Sequence, residues 1–112
     1  MSNDKTGLIT MCRKAGKLVM GMDQVKESCK NGSAKGVFAA KDFSQKSLKE
    51  IKYVCFTQGV KAYALEMTMD EIGISLGKRI GVMAITDRGF CNSCIKGLKQ
   101  IEIDSKDFHG DF

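Results

Sequence analysis

Apolar residues along this chain fall at helical spacing in some stretches and in short unbroken runs in others, and the two alternate almost to the C-terminus. Leu8, Met11, Cys12 and Ala15 stand at i, i+3, i+4 and i+7, which predicts a helix ending at Gly16. Leu18–Met20 reads as a short strand and Gly21 as a tight corner. Met22, Val25 and Cys29 then give the inner face of a second helix, stopped by Asn31 and Gly32. A buried strand over 37–40 precedes a third helix. Ser44 is its N-cap, Phe43 and Leu48 its hydrophobic staple, Leu48, Ile51 and Cys55 its inner face, and Gly59 its end.

A strand over 60–65 leads to the clearest local signal. Thr68-Met69-Asp70-Glu71 is a capping box, with Met67 and Ile72 as its staple, opening a fourth helix that runs to Gly77. A strand over 80–85 follows, and Asp87 caps a last helix. Four strands alternating with helices predict a three-layer α/β/α sandwich, because each helix buries its stripe only by returning over a sheet. The domain is expected to occupy 1–100. Residues 101–112, IEIDSKDFHGDF, are expected to form an edge strand or a loose acidic tail.

At 112 residues there is room for one core and one domain. The net charge of +5 favours phosphates or an anionic surface as partner. No apolar stretch is long enough to span a bilayer, so no membrane contact is expected. The first residues, MSNDKTGL, lack the apolar core of a signal peptide, which predicts a cytoplasmic protein. Five cysteines, an odd number, then read as reduced thiols.

Catalytic constellations are thin. The one histidine, His109, lies near the C-terminus, and no nucleophile elbow, Walker loop or dinucleotide fingerprint is present. No enzyme activity and no cofactor are expected. Cys91 and Cys94 form a CxxC at the start of the last helix, the position of a thioredoxin-type redox pair. That architecture also uses a cis-proline, and this chain has no proline. The competing reading is structural: Cys91, Cys94, Ile95 and Leu98 recur at helical spacing and serve as core. A zinc site lacks a second ligand pair, so no metal is expected.

Three segments carry a family resemblance: RKAGKLVMGMDQVKESCKNGSAKGVFAAKD from Arg13, EIGISLGKRIGVMAITD from Glu71, and DRGF from Asp87. A helix, AGKLV, a glycine corner, a polar pair, and NGSAK before an apolar strand occur in that order. The chain resembles the kink-turn RNA-binding ribosomal-protein superfamily, L-seven-Ae and L-thirty-e, and within it the short bacterial ribosome-associated members. The resemblance implies a mixed sheet of four strands and binding of kinked, structured RNA, ribosomal RNA above all, with no DNA partner and a monomeric protein.

It also implies where RNA is read: the loop and helix start after the first strand, and the loop before the helix that begins at Thr68. The family's pattern falls on Gly21, Met22, Asp23 and Gln24. Gln24 fits it and Asp23 departs from it, and Glu27 stands where the family has a lysine. Lys26 and Lys30, four apart on one helical face, are the candidate compensators, with Lys17 and Lys41. In the second loop Met67 or Met69 would pack against a protruding nucleotide beside Thr68. Two other readings stay open: a protein-interaction module on the same fold, favoured by Asp23 and Glu27, and a thiol redox protein built on Cys91 and Cys94.

Overall fold

A computed structural model describes residues 5–104. The elements run α1 (Thr6–Lys14), β1 (Leu18–Met20), α2 (Met22–Lys30), β2 (Gly36–Ala39), α3 (Gln45–Gln58), β3 (Ala62–Ala64), α4 (Met69–Leu76), β4 (Val82–Ile85), α5 (Arg88–Ile95) and β5 (Lys99–Gln100). The sheet has five strands in the order β1-β4-β2-β3-β5, one more than the sequence predicted. Among the described strands only β2 and β3 are parallel, so the sheet is mixed, as the resemblance implies.

The additional strand precedes the segment expected to supply an edge. Tyr63 and Ala64 pair with Gln100 and Lys99, and the Ile101 N–H continues the pairing by donating to the Ala62 carbonyl at 2.8 Å. Both β5 residues are exposed, so no hydrophobic alternation announces them. Residues 105–112, with His109, lie outside the described residues.

Because successive strand residues point to opposite faces, the core divides in two. Phe38, Met83 and Ile85 pack with Ile9 and Cys12 of α1, Ile72 and Leu76 of α4, and Cys91 and Cys94 of α5. Val37, Ala62, Val82 and Ala84 pack with Val25 and Cys29 of α2 and Ile51, Val54 and Cys55 of α3. In α1 the buried stripe is Ile9 and Cys12, whereas Met11 is 59% exposed and Ala15 is also at the surface. Of the predicted stripe, Cys12 is buried and Leu8 packs half-buried against the same core, and packing against α4 and α5 adds Ile9 in place of Met11.

The helix starts follow local chemistry. Ser44 Oγ accepts from the Ser47 N–H (3.1 Å), and Asp87 Oδ2 accepts from the Phe90 N–H (2.9 Å). At α4 the capping box is complete: Thr68 Oγ1 accepts from the Glu71 N–H at 3.2 Å, and Glu71 Oε1 accepts from the Thr68 N–H at 2.8 Å. Gly59 and Gly77 close α3 and α4 in the left-handed conformation. Thr68→Ala, which removes half of the box, is expected to cost about 1 kcal/mol in denaturant unfolding with an unchanged m-value.

Candidate nucleic-acid interface

The chain leaves β1 through Gly21 at φ 95° and ψ 156°, a conformation open essentially to glycine alone. The Gly21 N–H donates to the Val82 carbonyl (3.1 Å), and its own carbonyl accepts from the Val25 N–H (2.9 Å), so one residue both ends β1 and starts α2. Unlike α3, α4 and α5, α2 carries no side-chain cap. Its first-turn N–H groups therefore stay aimed outward at the positive end of the helix dipole. Gln24 is exposed, and its Oε1 stands 3.3 Å from where a Cβ on Gly21 would lie, so the amide rests over the bare turn.

Antiparallel pairing of β1 with β4 brings the start of β4 beside this turn, and β2 continues the row on the other side of β4. Backbone bonds then tie the neighbouring loops together. The Ala40 N–H donates to the Gly81 carbonyl (2.8 Å), and the Lys41 N–H to the Met67 carbonyl (2.8 Å). The Met69 N–H donates to Asp42 Oδ1 (2.8 Å), which fixes the loop before α4 against the one after β2. Gly81 makes this close approach feasible: a Cβ there would lie 2.3 Å from the Phe43 ring and 3.4 Å from Met69 Cε.

Of the residues predicted from sequence, Gly21, Met22, Asp23, Gln24, Lys41 and Thr68 thus gather at one end of the sheet. Four do not join them as expected. Lys17 sits at the opposite end of β1, where its carbonyl accepts from the Thr86 N–H at 2.9 Å, and α2 runs away from the Gly21 turn, carrying Lys30 to its far end. The Lys26 ammonium is engaged by Glu50 of α3 at 2.9 Å and so offsets Asp23 and Glu27 less than expected. That hydrogen bond and charge hold the Glu50 carboxyl below its usual range.

Met67 is the fourth, only 5% exposed and part of the core with Ile72, as its staple role requires. Half-buried Met69 supplies the loop's accessible apolar surface instead. Arg13, from the leading basic cluster, donates through Nη1 to the Leu76 carbonyl at the end of α4.

Sequence reasoning missed two basic side chains. Lys78 and Arg79 are exposed in the loop between α4 and β4 that ends at Gly81, and Arg79 Nε donates to Asp70 Oδ1 at 2.7 Å. The dipeptide was visible inside EIGISLGKRIGVMAITD, but its nearness to Gly21 depends on the β1–β4 pairing.

The thiols of the CxxC lie elsewhere, 2% and 0% exposed in the core under α5. Burial raises the Cys91 pKa, and it pushes Cys94 up to about 12 and Cys12, in the same core, to about 11. A redox pair needs the opposite, an accessible thiolate. Among the described residues no cluster of metal-ligating side chains is present, and no helix is long and apolar enough to cross a membrane.

Three comparisons place the chain among known proteins. A curated relative, the RNA-binding protein YlxQ of Bacillus subtilis (strain 168), is 33% identical over 92 residues, which cover 81% of this chain and 91% of that protein. A solved structure titled as a protein with unknown function from Bacillus halodurans superposes with a TM-score of 0.75 at 20% identity, covering 83% of this chain and 94% of that one. The fold is therefore shared beyond close sequence likeness. Residues 5–95, nearly the whole described chain, match one family, and the chain belongs to the Ribosomal protein L7Ae/L30e/S12e/Gadd45 family.

Proposed function

We propose that this protein is a cytoplasmic, non-enzymatic monomer that binds kinked, structured RNA, ribosomal RNA above all, through the end of the sheet that carries Gly21. One observation carries the reading: a glycine-only turn, bonded to β4, opens a helix whose first N–H groups have no side-chain cap and sets the Gln24 amide at the surface beside them. Phosphate oxygens suit those N–H groups, and an amide suits the hydrogen-bonding edge of a base. Met69 supplies the apolar contact and Lys41 and Lys78 the cations, with Arg79 adding less because Asp70 engages it as Glu50 does Lys26. The family and the name of the Bacillus subtilis relative support RNA as the partner. The division of strand side chains between two clusters supports a three-layer α/β/α arrangement behind this end.

Titration of the reduced protein with a kink-turn RNA and with an unkinked duplex, at several salt concentrations, tests this. The kinked RNA is expected to bind more tightly. Gln24→Ala is expected to weaken that binding by about 1–2 kcal/mol, roughly 5–30-fold, with little change in melting temperature because the side chain is exposed. Equal, weak binding to both RNAs would falsify the kink reading. It would favour a protein-interaction module, for which exposed Asp23 and Glu27 of α2 are the supporting observation.

A further inference from the structure

The end of the sheet opposite Gly21 carries a cation on each of four neighbouring strands. Lys17 precedes β1, Arg88 follows β4, Lys35 precedes β2, and Lys61 precedes β3, and these strands lie in that order. Backbone bonds fix the spacing: Thr86 N–H to the Lys17 carbonyl, Lys35 N–H to the Ile85 carbonyl, and Val37 N–H to the Lys61 carbonyl, at 2.9, 2.8 and 3.0 Å. With strands about 4.8 Å apart, the row spans roughly 14 Å.

Lys35, Lys61 and Arg88 also line a cavity of about 430 Å³, together with Gln58 and Asn92, and among the described residues no carboxylate lines it. All four cations are exposed. Two acidic stretches border the row. Asp87 is turned onto the Phe90 N–H, and Glu102 and Asp104 follow the Ile101 N–H bonded to Ala62. Neither stretch reaches the cavity lining.

A regular line of like charges over a polar hollow matches a ligand whose own charge repeats. A nucleic-acid strand carries one negative charge per nucleotide, about 3.4 Å along a duplex axis. We infer that this row is a second RNA-binding surface, taking the phosphate backbone of a helical segment without reading sequence. It rests on RNA being the partner of the Gly21 end. Since Lys17 and Gly21 stand at opposite ends of β1, four residues and so roughly 13 Å apart along the strand, the two ends face different segments of one folded RNA. The protein then acts as a brace between a kink and a helix that flanks it.

The test uses the full chain carrying Lys35→Gln, Lys61→Gln and Arg88→Gln together. A control triple variant, Lys46→Gln, Lys52→Gln and Lys96→Gln, loses the same net charge elsewhere. Each is titrated with a kink RNA trimmed to its motif and with the same kink bearing long flanking helices, across a salt series. The cavity variant is expected to lose at least tenfold in affinity for the long RNA. The slope of log affinity against log salt should flatten by about two units, at 0.7–0.9 per lost phosphate contact.

Its affinity for the trimmed RNA, and the control variant's affinity for both, should stay near wild type. Equal losses on both RNAs, or equal losses in the two variants, would overturn the second surface by showing a general charge effect. Unchanged RNA binding with a loss of pyrophosphate binding by calorimetry would also overturn it and assign the cavity to a small anion. Failure of the RNA reading itself looks different, because the wild-type protein would then bind neither RNA and Gln24→Ala would change nothing.

Discussion

Gly21→Ala is expected to damage stability and RNA binding together. Its φ of 95° and ψ of 156° lie where a side chain is strained, at a cost of about 1–3 kcal/mol, and the new Cβ would press on the Gln24 amide 3.3 Å away. For a domain of this size that loss lowers the melting temperature by roughly 5–20 °C. Relief requires the turn to rotate, which breaks the Gly21–Val82 bond and swings the first turn of α2 off its aim. Affinity for the kinked RNA should therefore fall further than in Gln24→Ala, even measured per folded molecule. The decisive comparison is between the two variants below their melting transitions: if Gly21→Ala binds as well as wild type there, the turn's geometry is irrelevant to recognition.

Replacing both Cys91 and Cys94 by serine carries the other large expected effect. Each hydroxyl would be buried where the thiol makes ordinary apolar contact, costing about 1–3 kcal/mol per site unless it finds a partner. Urea unfolding should show the loss with the m-value unchanged. Retained stability together with a measurable disulfide potential in the wild-type protein would revive the redox reading.

The buried thiols of this core, Cys12, Cys91 and Cys94, predict an alkaline limit. Their pKa values are raised in the folded state above the ordinary 9.0, to about 11 for Cys12 and about 12 for Cys94, so burial of the neutral thiol favours folding below pH 9. As pH rises past 9 the unfolded chain's thiols ionise while the folded ones hold their protons, and stability drains away up to the folded values. Cys91→Ser/Cys94→Ser should show a shallower alkaline decline than wild type.

What the sequence revealed follows the range of the interaction responsible. The capping box of α4 lies within four residues, so its geometry could be read directly from Thr68 and Glu71. Gly21 and Gln24 were also legible, because a corner and a helix start are local. The α1 stripe was legible in part: Leu8 and Cys12 do face the core, and only packing against α4 and α5 puts Ile9 there rather than Met11. Strand β5 consists of two exposed polar residues held by an edge that forms far away in sequence.

The candidate site divides by the same logic. Lys17 is four residues from Gly21 yet at the other end of a strand, whereas Lys78 and Arg79 reach Gly21's end only through sheet pairing. The pairing of Lys26 with Glu50 and the burial of Met67 are tertiary facts without a local signature.

The bond between Gly21 and Val82 also sets a schedule for the growing chain. Strand β4 leaves the ribosome about 60 residues after β1, which at about 5–20 residues per second is a delay of roughly 3–12 s. Until then β1 has no sheet partner, since β4 is its sole neighbour among the described strands, and the Gly21 N–H lacks its Val82 acceptor. A nascent chain halted before Val82 would carry every residue of the Gly21–Gln24 segment and yet present no shaped surface. If the Gly21 end is the RNA surface proposed above, competence for RNA arrives late in synthesis, when β4 slots between β1 and β2.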